Sequence, residues 1–177
     1  MAGKNARELR RRVDAAWQNL SGQLEGMEAY LERADAPGEW TTREVLSHLL
    51  FEPGFDPAAT LDTFAQRDYP LVEIAPGDTV LDDQRRQMTL DQFREALDAQ
   101  RRGLLGYIDR LEEGEFERKA RIPLFKQFMG TDEVTITMYV GALFDYHWND
   151  HADQLAKIRQ AVGLGSEPGV TSGGVPV

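Results

Sequence analysis

The chain has 177 residues, with 30 acidic against 20 basic side chains, a formal net charge of −10 and no cysteine. A length of this order suits one domain with a sizeable core. The acidic balance argues against nucleic acid and against an anionic membrane surface, which are both gripped by lysine and arginine. The missing cysteine excludes disulfides, thiolate zinc sites and cysteine nucleophiles. No apolar run resembles a signal peptide or approaches the ~20 residues of a membrane helix, so a soluble, cytoplasmic protein is expected.

Leu9, Val13, Trp17, Leu20, Leu24, Met27 and Leu31 recur at spacings of three and four and predict a first amphipathic helix from about Arg7 to Arg33. Its basic residues Arg7, Arg10, Arg11 and Arg12 read as a solvated face. Ala34-Asp35-Ala36-Pro37-Gly38 stops it. Thr41 and Glu44 have capping-box spacing and open a second helix that Pro53-Gly54 should end. Val45, His48, Leu49 and Glu52 fall on or near one face of it.

Residues 53–88 are irregular, broken by Pro53, Gly54, Pro57, Pro70, Pro76 and Gly77, with a helical turn or two available from Ala58 to Gln66. Such a long connection serves either as a lid or pocket wall, or as a crossover that spans the bundle. Thr89 and Gln92 form another capping box, and Leu90, Phe93, Leu97, Leu104, Ile108 and Leu111 line the third helix. Gly103 and Gly106 weaken that helix and are candidates for a close helix approach. Arg121 to Phe125 reads as a short extended link, and strand signals are weak throughout. Thr131-Asp132-Glu133 is expected to cap a fourth helix whose stripe is Val134, Met138, Phe144, His147, His151, Leu155, Ile158 and Val162. The expected organisation is an all-α four-helix bundle over residues 1–162, followed by a flexible Gly-, Ser- and Pro-rich tail over 163–177.

The chain contains three histidines, and all of them belong to this core pattern. His147 and His151 stand four residues apart, so a helix places both imidazoles on one face. His48 lies in another core-facing segment. Three neutral imidazoles would suit Zn²⁺, Ni²⁺, Fe²⁺ or Co²⁺ with a coordination position left open. The alternative is three core histidines satisfied by carbonyls or carboxylates. Glu52, four residues after His48, is a candidate fourth ligand, hydrogen-bond acceptor or base, against the plainer role of a solvated helix-end carboxylate. Asp145 and Asp150 flank the histidine pair but point off its face. Phe51, Phe55, Phe144, Tyr146 and Trp148 are candidate pocket walls, with ordinary packing as the alternative. His147 is followed by Trp148, so the H-E-x-x-H signature of zinc peptidases is absent.

The stretch Trp40-Thr41-Thr42-Arg43-Glu44-Val45-Leu46-Ser47-His48-Leu49, together with the later His147-Trp148-Asn149-Asp150-His151 helix, resembles the DinB/YfiT-like superfamily of metal-binding four-helix bundles. The resemblance spans roughly residues 7–162. It implies an up-down-down-up bundle, often a homodimer, in which His48, His147 and His151 hold a divalent metal, zinc or nickel above others. It further implies a small-molecule substrate. Some superfamily members are transferases or isomerases that use bacillithiol, mycothiol or glutathione, and others are hydrolases or noncatalytic. Thiol chemistry here would require an external low-molecular-weight thiol, because the chain has none of its own.

Overall fold

The computed structural model describes residues 3–66, 68–74 and 81–165. Pro76, Gly77 and positions 166–177 of the expected tail lie outside the described residues. The elements in chain order are α1 (Lys4–Gln23), α2 (Thr42–Leu49), α3 (Pro57–Gln66), α4 (Asp83–Gln87), α5 (Leu90–Ile108), β1 (Lys119–Arg121), α6 (Phe125–Met129), β2 (Glu133–Thr135), α7 (Ile136–Gly141) and α8 (His147–Ala161). A π turn over Ala142–Tyr146 joins α7 to α8.

Polar contacts between helices fix their directions. Arg10 pairs with Asp109, and Arg101 with Asp14, so numbers rise along α1 as they fall along α5. Arg12 pairs with Asp145 at 2.7 Å, Asn19 donates to Asn149 at 2.8 Å and Arg159 donates to the Gln23 carbonyl at 3.0 Å, so α1 and the last helix ascend together. Arg43 lies over Phe93 and Gln100 donates to the Leu49 carbonyl, so α2 and α5 are parallel. The bundle is therefore up-down-down-up. Parallel neighbours need a connection that returns along the bundle, which accounts for the long segment between α2 and α5. That segment is a structured crossover. Asp56 caps α3 by accepting from the Ala58 amide at 2.9 Å, with Pro57 in the first helical position, and Leu61 and Phe64 are buried.

Several helix ends differ from the sequence-based expectation. The first helix stops at Gln23 rather than continuing to Arg33, with Gly26 left-handed at φ 72°. Leu24, Met27 and Leu31 remain buried from the following loop, so the apolar stripe outlasts the helix. The predicted cap at Thr131 is not used. Residues Glu133–Thr135 instead form β2, and Thr135 caps α7 by accepting from the Met138 amide at 3.1 Å. β2 pairs antiparallel with β1, with Ala120 opposite Val134 and both fully buried. The Val72 amide donates to the Arg121 carbonyl at 2.9 Å, so the crossover attaches to this ribbon. Gly103 and Gly106 make no close helix approach. A Cβ on Gly103 would meet nothing within 4 Å, and one on Gly106 only the tip of Arg110.

One apolar cluster runs from Ala6 to Ile158, with Trp148, Tyr139, Phe93, Phe116 and Phe144 as its bulkiest fully buried members. The basic start of the chain is matched to acids: Arg10 to Asp109, Arg11 to Glu8 and Arg12 to Asp145. Arg159 is buried and donates to the Gln23 and Glu25 carbonyls, closing the C-terminal end of α1.

Two opposite stability changes follow. Thr41→Ala removes the oxygen that accepts from the Glu44 amide and should lower unfolding free energy by about 1 kcal/mol. Gly103→Ala adds a methyl in open space within α5 and should raise it by up to about 1 kcal/mol. Urea denaturation of the two variants beside the wild type reads both signs.

Candidate metal centre

His48 comes from α2, a short helix held at both ends. At its start the Thr41 hydroxyl accepts from the Glu44 amide at 3.2 Å, and the Thr41 amide donates to the Glu44 carboxylate at 2.7 Å. At its end the buried Arg85 of α4 donates to the Ser47 carbonyl at 2.9 Å. Arg43 reciprocates by donating to the Arg85 and Met88 carbonyls at 2.9 and 2.7 Å. A cation at a helix C-terminus is favourable, although desolvation holds the Arg85 pKa below the ordinary arginine value.

His147 and His151 occupy the first two turns of α8, directly after the π turn. The π turn adds one residue to the helical repeat. The inward side then passes from Tyr139 and Val140 to Phe144, Trp148, His151 and Ala152. Asp145, inside the turn, accepts from Arg12 and from the Asn149 amide group at 3.0 Å, so it faces away from the imidazoles.

The three imidazoles meet. Each offers a nitrogen within 4.8 Å of those of the other two. Ring centroids lie 4.9 Å apart for His48 and His147, 4.8 Å for His48 and His151, and 4.7 Å for His147 and His151. The Nε2 atoms of His48 and His147 are 2.8 Å apart. Nδ1 of His151 is 2.8 Å from Oε1 of Gln154. An amide oxygen carries no proton, so Nδ1 is the donor of that pair and the lone pair of a neutral His151 sits on Nε2. Among the described residues the cluster contains no carboxylate.

Burial pushes the His147 imidazole down to about 3, and the neighbouring His151 and His48 act in the same direction. Burial also lowers His151, against an opposing pull from Gln154 and the exposed Asp150. His147 and His151 are therefore neutral imidazoles at neutral pH, the form in which they ligate a cation. This donor set fits a divalent transition metal of the Zn²⁺ or Ni²⁺ kind, and it is poor in the oxygens that Mg²⁺ or Ca²⁺ would take.

The expected neighbours are only partly there. Glu52 is exposed and lies beyond the end of α2 at Leu49, so it does not share a helical face with His48. The chain turns at Phe51, whose φ of 60° ends the helical repeat first. Of the candidate wall residues, Phe51 lies 6.0 Å from the His147 ring and packs on Phe55 and Phe144. Tyr146 is exposed beneath Arg12, and Trp148 packs behind the site on Trp17 and Phe144. Two contributors were missed. Trp40 stacks on His151 at 6.1 Å with the planes within 8°, and lies 5.0 Å from the His48 ring. Gln154 binds His151, and its position one helical turn later was the signal available for it.

No protein-family profile and no curated protein sequence matches the chain. Solved structures do. YfiT from Bacillus subtilis, described as a probable metal-dependent hydrolase with an unusual four-helix bundle topology, aligns at TM-score 0.63 and 17% identity over 91% of this chain and 88% of its own. An uncharacterized protein from Clostridium difficile 630 aligns at 0.63 and 11% identity, over 90% and 98% of the two chains. A protein from Streptococcus pneumoniae aligns at 0.63 and 13% identity, over 92% and 94%. The chain has the YfiT/DinB-like fold. At these identities the likeness carries the bundle and its helix order, and the site rests on the imidazole geometry above.

The burial of His147 has a pH consequence in the metal-free protein. An unfolded histidine takes a proton near pH 6.5, which folded His147 refuses until about 3. Its contribution to stability is therefore complete above about pH 6.5 and is lost as pH falls from there toward 3. The urea midpoint of chelator-treated protein should fall more steeply between about pH 7 and 5 than that of His147→Gln.

Proposed function

We propose that the chain is a metal-dependent enzyme of the YfiT/DinB-like kind, in which His48, His147 and His151 hold one divalent transition metal, zinc or nickel, and a small electrophilic molecule is the substrate. The observation that carries this reading is the convergence of three imidazoles from two helices with no carboxylate among them in the described residues. When bound, such an ion supplies Lewis acidity, which lowers the pKa of a coordinated thiol or water and makes it a nucleophile at neutral pH.

The chain's own groups prepare the site. The Gln154 amide oxygen holds the His151 proton on Nδ1. Trp40 covers His151 and flanks His48, restricting both rings. Phe51, packed on Phe55 and Phe144, places apolar surface beside His147. With Glu52 exposed and no carboxylate in the cluster among the described residues, the nucleophile's proton would pass to solvent.

Two forms of the reaction fit this arrangement. In the first, an external low-molecular-weight thiol would lose its proton to solvent and form a bond from its sulfur to the electrophilic carbon, displacing a leaving group as its anion. The superfamily resemblance supports this form, and the absence of cysteine makes the thiol a co-substrate. In the second, water takes the nucleophile's place and the reaction is hydrolysis, which the description of YfiT as a probable metal-dependent hydrolase supports.

Elemental analysis of tag-free protein purified without chelator should find one zinc or nickel per chain, and His147→Ala should lose it. Full stoichiometry in His147→Ala would sink the assignment. With the metal-loaded protein, glutathione-dependent consumption of chlorodinitrobenzene separates S-transfer from thiol-independent hydrolysis of p-nitrophenyl acetate.

A further inference from the structure

The acceptor on His151 is an amide. A histidine that ligates a metal commonly donates its other N–H to a carboxylate, a backbone carbonyl or water, and a carboxylate there adds a negative charge to the site. Gln154 supplies the hydrogen bond at 2.8 Å without that charge. The other members of the cluster are imidazoles, and no carboxylate joins it among the described residues. Asp150 is the carboxylate that acts on His151, and its side chain is exposed, where solvent screens it. The neighbouring surfaces are the rings of Trp40, Phe51 and Phe144. A dication in this setting would keep nearly its whole charge in a partly buried, apolar place, and an uncompensated buried charge is strongly unfavourable.

We infer that Gln154 is a positioning residue that fixes His151 as the Nδ1–H tautomer while adding no charge, and that the open coordination position consequently selects a small monoanion. A thiolate, hydroxide or carboxylate entering there halves the charge that the protein leaves uncompensated. A neutral ligand does not. This rests on the metal-dependent reading above and deepens it by naming the charge class of what binds.

The test uses Gln154→Leu, which removes the acceptor, and Gln154→Glu, which keeps it and adds charge. In metal-free wild type, ¹⁵N–¹H NMR should show the His151 proton on Nδ1, and Gln154→Leu should lose that signature. Zn²⁺ affinity, read by competition with a chromophoric chelator, should fall about 10–100-fold in Gln154→Leu and rise in Gln154→Glu. Thiocyanate binding to the Co²⁺-loaded protein, read by visible absorption, should be at least about tenfold weaker in Gln154→Glu than in wild type.

Wild-type Zn²⁺ affinity in Gln154→Leu would overturn the positioning role. Equal thiocyanate affinity in wild type and Gln154→Glu, or metal-loaded wild type that ignores thiocyanate, would overturn the anion selection alone. Wild type that takes up no metal would overturn the underlying reading and this inference with it, and elemental analysis distinguishes that case.

Discussion

Three imidazoles can converge only if α2 and α8, whose facing histidines His48 and His147 are 99 positions apart in sequence, cross at one point in fixed register. Most of the polar chemistry in the interior serves that crossing. The Thr41–Glu44 capping box sets where α2 begins. Arg85 and Arg43 lock its far end to α4 through backbone carbonyls. On the other side Arg159 ties α8 to the last turn of α1. Apolar burial is non-directional and would tolerate a small sliding of one helix on another. Hydrogen bonds to carbonyls at fixed heights would not, because a buried guanidinium without partners costs more than the contact is worth in water.

The π turn belongs to the same constraint. Without it, Tyr139 and Val140 on one side and Phe144, Trp148 and His151 on the other would not share a core-facing stripe. The extra residue also turns Asp145 outward, where Arg12 receives it. Gly141, just before the turn, makes room for this pair: a Cβ there would sit 3.0 Å from the Arg12 guanidinium. The exchange leaves the acid on the α1 side of the helix and the imidazoles on the α2 side. The metal-binding face is thereby kept free of a carboxylate that lies only two positions before His147 in sequence.

Much of this could be read from the residues, and what could not has physical causes. The histidine stripe and the boxes at Thr41 and Thr89 were legible because they depend on spacing within one turn. The end of α1 was not, because Leu24, Met27 and Leu31 continue the apolar pattern through a loop that is equally buried. The β1–β2 ribbon is three residues long on each strand, too short for an alternation to register, and its pairing is non-local. The expected cap at Thr131 gives way to Thr135 because the pairing of Val134 with Ala120 holds Glu133–Thr135 extended. The helix direction came from the family resemblance alone, since no local pattern encodes whether neighbouring helices are parallel. Gln154 was within reach of the same one-turn rule that picked out His147 and His151, but a glutamine on a helix surface carries no mark of its partner.

Phe51 shows how far the site shapes the local backbone. It is the residue after the C-cap of α2, where the chain takes a φ of 60° and its amide donates to the His48 carbonyl at 2.9 Å. Glycine is the usual occupant of such a left-handed position, and a side chain there costs roughly 1–2 kcal/mol. Six other positive-φ positions among the described residues, at Gly26, Gly38, Gly54, Gly130, Gly163 and Gly165, do use glycine, and Tyr69 is the one besides Phe51 that does not. What phenylalanine supplies in return is a ring against His147, Phe144 and Phe55, which extends the apolar core to the edge of the imidazole cluster. The same turn diverts the chain from the helical path on which Glu52 would have followed His48. One strained residue therefore does two things at once: it lays an aromatic wall beside the donors, and it carries the Glu52 carboxylate away from His48. Both effects leave the cluster flanked by apolar surface and without a carboxylate among the described residues, the condition under which a bound cation would act most strongly on what binds it.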